Sequence, residues 1–334
     1  MADHMYYFTK NEHLINELAN SSLYFSSPVS FNDPLDCDFR VLHDHLASLS
    51  TDSIKNLKLD CGKNLREHLY FKNENKYWNF KSEHKKYTKS WQGHIDPNPG
   101  LPPYNESPLI SLLDVVETEE DDVFLKKLHE WTKALINNIG VKCFTKTWSN
   151  FLLWSHYANN HRGVCVGVVN PHELFLRWSR NVGYFAIHYT DIKTLGEDAT
   201  SLRKTIQSFL TTKFSEWEYE QESRVISFRG YGFIRIKCPA IQEVTFGDRW
   251  FFTSQSEESD KTAKSRQAVI KAIIDFRKKQ HKSKMKLYVA ESRPSHSNLL
   301  RHEIHSNEIP LLLNAAARFS SNEDALSYIF RKRH

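Results

Sequence analysis

The segment Trp217-Glu218-Tyr219-Glu220-Gln221-Glu222-Ser223-Arg224 is the most chemical stretch of the 334-residue chain. Read as an extended strand, it turns Glu218, Glu220, Glu222 and Arg224 to one face, because alternate side chains of a strand share a side. Three carboxylates so placed repel each other, and a buried one rises in pKa unless Arg224 or another cation offsets it. Two readings stay open. One is an exposed, ion-paired edge strand. The other is a Glu-x-Glu pair in a cleft, where one carboxylate binds a substrate hydroxyl and its neighbour positions a nucleophile or steadies a cationic transition state.

Two further segments carry candidate groups. In Trp148-Ser149-Asn150-Phe151-Leu152-Leu153-Trp154-Ser155-His156-Tyr157-Ala158-Asn159-Asn160-His161-Arg162-Gly163, a helix capped by Ser149 places Leu153, Trp154, Tyr157 and Ala158 on one face. Trp154 and Tyr157 then read either as core or as walls of a pocket. His156, among Ser, Tyr and Asn, is suited to orienting a ligand or moving a proton. His156 and His161 are five apart, on different faces, and make a poor metal pair. Near the N-terminus, Leu23-Tyr24-Phe25-Ser26-Ser27-Pro28 is a strand that ends in two hydroxyls, and the loop Asn32-Asp33-Pro34-Leu35-Asp36 follows with an amide and two carboxylates. A strand that delivers a rigid polar loop is a common way to build a site.

The elements that must position these groups read as an α+β mixture. Strands are expected at 5–9, 23–26, 141–145, 164–169, 185–189, 223–228, 241–246 and 286–290. Helices are expected over 12–19, 42–69, 121–139, 150–160 and 267–279. The Pro-rich piece Asp96-Pro97-Asn98-Pro99-Gly100-Leu101-Pro102-Pro103 joins two helices as a loop. The acidic run from Glu117 to Asp122 suits the first turn of a helix better than a metal site. The expected whole is one domain over 5–304 with a central mixed or antiparallel sheet, a mainly helical insertion at 45–135, and a C-terminal extension at 305–334 with a basic end.

Composition narrows the function classes. Lys+Arg 45 against Asp+Glu 40 leaves a net charge of only +5, which permits nucleic-acid contact without demanding it. The five cysteines, Cys37, Cys61, Cys143, Cys165 and Cys238, are scattered and odd in number, which argues against a disulfide framework and for a cytoplasmic chain with reduced thiols. No apolar run reaches the ~20 residues of a membrane span, and no secretory leader is evident. Met5 reads as a natural start. The sequence holds no GxxxxGK[ST], GxGxxG, HExxH, GxSxG or EF-hand loop. A metal-dependent nuclease stays open, since Asp33, Asp36, Glu220 and Glu222 bind Mg²⁺ only if the fold gathers them; no metal site is expected from spacing.

The pattern Leu-Tyr-Phe-Ser-Ser-Pro-x-x-Phe-Asn-Asp-Pro-Leu-Asp at 23–36, with the two later segments, resembles the bacterial family called domain of unknown function 2971. The order of motifs is also similar to that of ADP-ribosyltransferase-type domains. Tyr6-Tyr7-Phe8-Thr9, the helix around Leu14–Leu18, the strand ending Ser26-Ser27-Pro28, and much later Glu220-Gln221-Glu222 follow that layout. The resemblance implies NAD as substrate, an oxocarbenium-like transition state steadied by Glu222 with Glu220, and aromatic residues around nicotinamide. It implies a nucleic-acid or protein acceptor and the setting of a toxin or antiviral effector. Tyr7 stands where that layout has His or Arg and offers only a hydroxyl, so the adenosine-ribose contact falls to Tyr7 or to Lys10. The site implied gathers His156, Glu220 and Glu222 as catalytic groups. Tyr7, Lys10, Ser26, Ser27, Asn32, Asp33, Trp154, Tyr157 and Arg224 serve as binding groups. A non-catalytic module that senses a ligand or binds a partner is the alternative.

Overall fold

The computed structural model describes residues 4–61, 120–137, 139–169, 182–191, 202–227, 230–235, 241–251, 259–279, 285–292, 299–319 and 321–331. They group into two compact units, one formed by Met1–Ser30, Asn138–Tyr189 and Ser215–His334, the other by Phe31–Asn137 and Thr190–Phe214.

The first unit is α+β and is built on an eight-stranded sheet. Its strands are β1 (His4–Thr9), β3 (Gly140–Thr145), β4 (Val164–Val169), β5 (Val182–Ala186), β8 (Glu222–Ser227), β10 (Ile241–Phe246), β11 (Lys286–Glu291) and β12 (Leu300–Ile304), in the order β12-β11-β10-β4-β1-β3-β8-β5. Only β10 and β11 run parallel; the other pairs are antiparallel. A small second sheet joins β2 (Ser22–Phe25) to β9 (Gly232–Arg235), and a bridge from Ser26 to Val141 ties it to β3; β6 (His188–Thr190) and β7 (Thr212–Phe214) are short strands of three residues each.

Alternation sorts the strands into two faces. Met5, Tyr7, Phe144, Val164, Val166, Val168, Val225 and Val244 enter one apolar core. The helices that cover this face supply Leu14 and Leu18 from Asn11–Asn20, and Val269, Ile270, Ile273 and Phe276 from Ser259–Lys279. The latter four follow the i, i+1, i+4, i+7 stripe of an amphipathic helix. Leu312, Ala315 and Ala316 of Ile309–Arg318 and Ala325 and Ile329 of Asn322–Phe330 enter the same core. The segment read as a C-terminal extension is thus packed into the main core.

That core also encloses a polar trio. The Tyr7 hydroxyl donates to Glu17 Oε2 at 2.6 Å, Lys142 Nζ donates to Glu17 Oε1 at 3.1 Å, and Nζ sits 3.5 Å from the Tyr7 ring centre. Burial lowers the Lys142 pKa against the pull of Glu17, and burial with the Glu17 charge raises that of Tyr7. Such a trio holds only while every member is present, since a lone buried charge costs several kcal/mol.

In the described parts of the second unit, the segment expected as an insertion is helical. Asp38 accepts from Arg40 N to start Phe39–Ala47, and Ser50 accepts from Ser53 N to start Thr51–Asp60. These replace the one long helix expected from Leu42, because Ser48 and Ser50 favour a cap over a continued turn; residues 62–69 lie outside the described part. Asp121–Asn137 begins with Asp121 and Asp122 in its first turn, as the dipole favours. Lys58 reaches Asp121 at 2.7 Å, and Leu42, Leu46, Ile54, Leu57, Phe124, Leu128 and Trp131 are buried. The Pro-rich loop and Glu117 to Glu119 lie outside the described residues.

Candidate functional site

The expected strand through the Glu-rich segment is not what forms. Ser215–Glu220 is a 3-10 helix, Gln221 takes a left-handed φ of 46°, and β8 begins at Glu222. The Gln221 N–H closes back on the Glu218 carbonyl at 3.0 Å. Acidic residues suit the start of such a turn, and the break puts Glu218 in solvent while Glu220 and Glu222 are buried. The single-face row of three carboxylates is therefore replaced by a corner with two.

Each carboxylate at this corner has its own donor. The Tyr157 hydroxyl donates to Glu220 Oε1 at 2.8 Å. Burial, and then the Glu220 charge, hold the Tyr157 phenol far above its ordinary pKa. Arg224 Nε donates to Glu222 Oε1 at 2.7 Å and Nη2 to Oε2 at 3.3 Å, with the arginine 0% exposed. Glu222 and Arg224 are i, i+2 on β8 and share a face, which is the part of the alternation that holds. The Glu222 N–H donates to the Tyr189 hydroxyl at 2.8 Å.

The helix that brings Tyr157 is shorter than expected. Asn150, not Ser149, caps it by accepting from Leu152 N and Leu153 N, and it runs Phe151–Tyr157. The Asn150 amide also donates to the Tyr219 carbonyl at 2.8 Å, fastening the helix start to the Glu-rich turn. The helix ends because Asn159, Asn160 and His161 are left-handed, with φ of 50°, 52° and 67°. Four non-glycine left-handed residues, Gln221 included, thus flank the corner. Strained backbone of this kind gathers at functional sites.

The other expected residues fall as follows. Trp154 is 0% exposed, its indole N–H donating to the Trp148 carbonyl and its ring edge-on to Phe8 and stacked with His161; it is packing, not an open wall. His156 is exposed and meets the Tyr157 and Trp217 rings edge-on. Tyr7 points into the core, away from the face that holds Glu222, because its neighbour Tyr6 is the one paired with Thr145, and Thr145 with Glu222. Lys10 is exposed at the start of the first helix without a side-chain cap bond. Ser26 pairs with Val141, four residues before Thr145 and so roughly 14 Å along the strand from the corner. The Ser27 hydroxyl is buried.

Asn32 and Asp33 belong to the second unit. Asn32 is exposed. Asp33 Oδ1 accepts from Leu35 N at 2.9 Å and its carbonyl from Asp36 N, a turn that Pro34 favours. Asp36 lies 3.8 Å from Lys213. Among the described residues no group of three or more His, Cys, Asp or Glu side chains is placed to hold a metal ion.

Sequence reasoning missed a second polar group on the outer sheet face. Arg301 Nη1 donates to Glu243 Oε1 at 3.0 Å, and the guanidinium lies 4.0 Å from the Tyr288 ring centre and 4.7 Å from that of Trp148. Tyr6 lies beside both charged groups; burial first, then Glu243, raises its pKa. It also missed Ser155–His161–Asp248. There Ser155 Oγ is 3.1 Å from His161 Nε2 and His161 Nδ1 is 2.9 Å from Asp248 Oδ1. Burial pushes the Asp248 carboxyl up, but the polar neighbours His161 and Ser292 bring it below its ordinary value. The N–H groups of Asn160, His161, Arg162 and Gly163 are all spent on local carbonyls, so these four offer nothing to an oxyanion and the trio reads as a latch for the turn.

A family model described as "Protein of unknown function (DUF2971)" matches residues 153–225. That stretch holds Trp154, His156, Tyr157, Glu220, Glu222 and Arg224. No curated protein and no solved structure matches the chain. Among the described residues no helix is long and apolar enough to cross a membrane.

Proposed function

We propose that this chain, a member of the DUF2971 family, is a carboxylate-dependent enzyme of the ADP-ribosyltransferase type that consumes NAD at the Tyr157–Glu220–Glu222 corner. The observation that carries this reading is Glu220: buried at the end of a 3-10 turn, beside a left-handed residue, with Tyr157 aiming a hydroxyl at it. In the proposed reaction the bond between the ribose C1′ and the nicotinamide nitrogen breaks, and nicotinamide leaves with the electron pair. The ribosyl cation that develops is steadied by the Glu220 carboxylate and captured by an acceptor oxygen or nitrogen, whose proton passes to a base. Glu222 carries Arg224 on both of its oxygens, so it holds the corner while Glu220 takes the catalytic role. Acceptors would be nucleic acid or protein, and the setting that of a bacterial toxin or antiviral effector.

A second reading is favoured by one specific observation. The buried Glu222–Arg224 pair and the wholly buried Trp154 are what a structural cluster in a ligand-sensing or partner-binding module would also show.

Nicotinamide release from NAD, followed by chromatography, separates the two. The wild-type protein is expected to release nicotinamide, and Glu220→Gln to lose roughly a hundredfold or more of that rate. NAD should raise the melting temperature of both, since it binds the folded state. No release, or full activity in Glu220→Gln, overturns the catalytic reading.

A further inference from the structure

We infer that Arg301, set between Trp148 and Tyr288 and paired with Glu243, is a nucleotide-binding subsite in which the guanidinium takes a phosphate and Trp148 stacks on the base. This deepens the transferase reading and rests on it for the choice of nucleotide, so the experiment is arranged to separate the two.

Three features of the fold make the group look built to leave a place above the sheet. The first is a β-bulge. Ile241 pairs with Val168 but Glu243 with Gly167, so Gln242 is an extra residue. Ile241 and Val244 both enter the apolar core. The bulge is what turns Glu243 to the opposite face, where strict alternation would have buried it. The second is Gly167, where an added Cβ would lie 2.4 Å from Glu243 Cγ and 2.9 Å from Oε1. The missing side chain lets Glu243 lie flat across β4. The third is the arginine itself. A guanidinium has five N–H donors, and among the described residues the acceptor it meets is Glu243. With the Arg301 side chain 21% exposed, N–H groups remain for an oxyanion, which the planar fork binds in bidentate fashion. The half-buried Trp148 ring adjoins it.

Register connects this group to the carboxylate corner. Glu243 pairs with Gly167, Gly167 with Tyr6, Tyr6 with Thr145 and Thr145 with Glu222. Directly paired residues share a face, so one transverse row runs across five strands from the Glu243–Arg301 pair to the Glu222–Arg224 pair. Four strand spacings make the span roughly 19 Å, a length a dinucleotide can bridge. The adenine end would lie at Trp148, the pyrophosphate on the Arg301 side of the row and the reacting ribose toward Glu220.

The test uses ADP as probe, titrated calorimetrically into the full chain, with adenosine as the phosphate-free control. Arg301→Lys keeps the charge opposite Glu243 but loses the fork, and Trp148→Leu removes the ring without touching a charge. ADP is expected to bind the wild type and to bind each variant about tenfold or more weakly, with adenosine weak throughout. Equal ADP affinity in the wild type and Arg301→Lys, with both folded by circular dichroism, overturns the subsite, as does no saturable binding of ADP to the wild type. If ADP binds through Arg301 while NAD yields no nicotinamide, the subsite stands and the transferase reading falls. If nicotinamide is released with a KM for NAD unchanged by Arg301→Lys, the reverse holds.

Discussion

At the scale of single residues, the two glutamates of the corner differ in what their loss would expose. Glu222 faces a guanidinium with no solvent access, so removing its charge leaves a buried cation short of its counter-ion. Breaking a buried pair in this way costs about 3–5 kcal/mol when the partner is deleted, and less when an amide still hydrogen-bonds. Among the partners of Glu220 is the neutral Tyr157 phenol, which donates to an amide oxygen as readily as to a carboxylate oxygen. Glu222→Gln is therefore expected to lose about 1–3 kcal/mol of stability, and Glu220→Gln clearly less, as measured by urea unfolding. Equal losses, or a Glu222→Gln as stable as the wild type, would show that Arg224 does not depend on Glu222. The segment Trp217–Arg224 announced that these side chains matter, yet not which pairs with which. Partnership depended on a left-handed Gln221, and no local pattern marks Gln as the residue that breaks a strand.

At the scale of elements, apolar alternation was legible and its interruptions were not. The strands at 164–169 and 241–246 read directly from the sequence because Val and Ile recur there, and β1, β2, β3 and β11 differ from expectation by a residue at their ends. The stretch expected as one strand over 185–189 instead divides into Val182–Ala186 and His188–Thr190, broken at Ile187, whose N–H goes to the Glu222 carbonyl. β9 and β12 were missed because Gly232–Arg235 and Leu300–Ile304 mix polar and apolar residues without a clean period. The Gln242 bulge belongs to the same class. It placed Glu243 on the outer face and so hid the Arg301 group from sequence reasoning. Gly167 on β4 is its complement, and Gly167→Ala tests the fit of the two strands. The new methyl must displace a Glu243 side chain that Arg301 anchors, an overpacking that costs about 1–3 kcal/mol. For a chain of this size that corresponds to a fall in Tm of about 1–2 °C per kcal/mol. A melting temperature equal to that of the wild type would mean that Glu243 swings aside freely and that the cradle is not needed.

At the scale of the whole molecule, seventeen histidines make protonation near neutrality a test of how the units are packed. Burial lowers the pKa of His13 in the first unit, against a smaller opposing pull from Glu17. In the second unit burial lowers His45, and burial with the neighbouring His43 and Lys133 lowers His129. His45 Nε2 and His129 Nδ1 are enclosed without a hydrogen-bond partner, so neither nitrogen has an acceptor waiting for a proton. A histidine whose folded pKa lies below its unfolded value of 6.5 resists a proton that the unfolded chain accepts. Its contribution to stability is therefore complete above that unfolded value and is lost as pH falls toward the folded one. All three act in the same direction, so the melting temperature is expected to rise from pH 5 to pH 7 and to level off above it. His45→Gln removes one of these titrations, keeps a polar group of similar reach, and should make the rise shallower. A melting temperature that is flat or falls over that interval would show that the native histidines take protons as easily as the unfolded chain does.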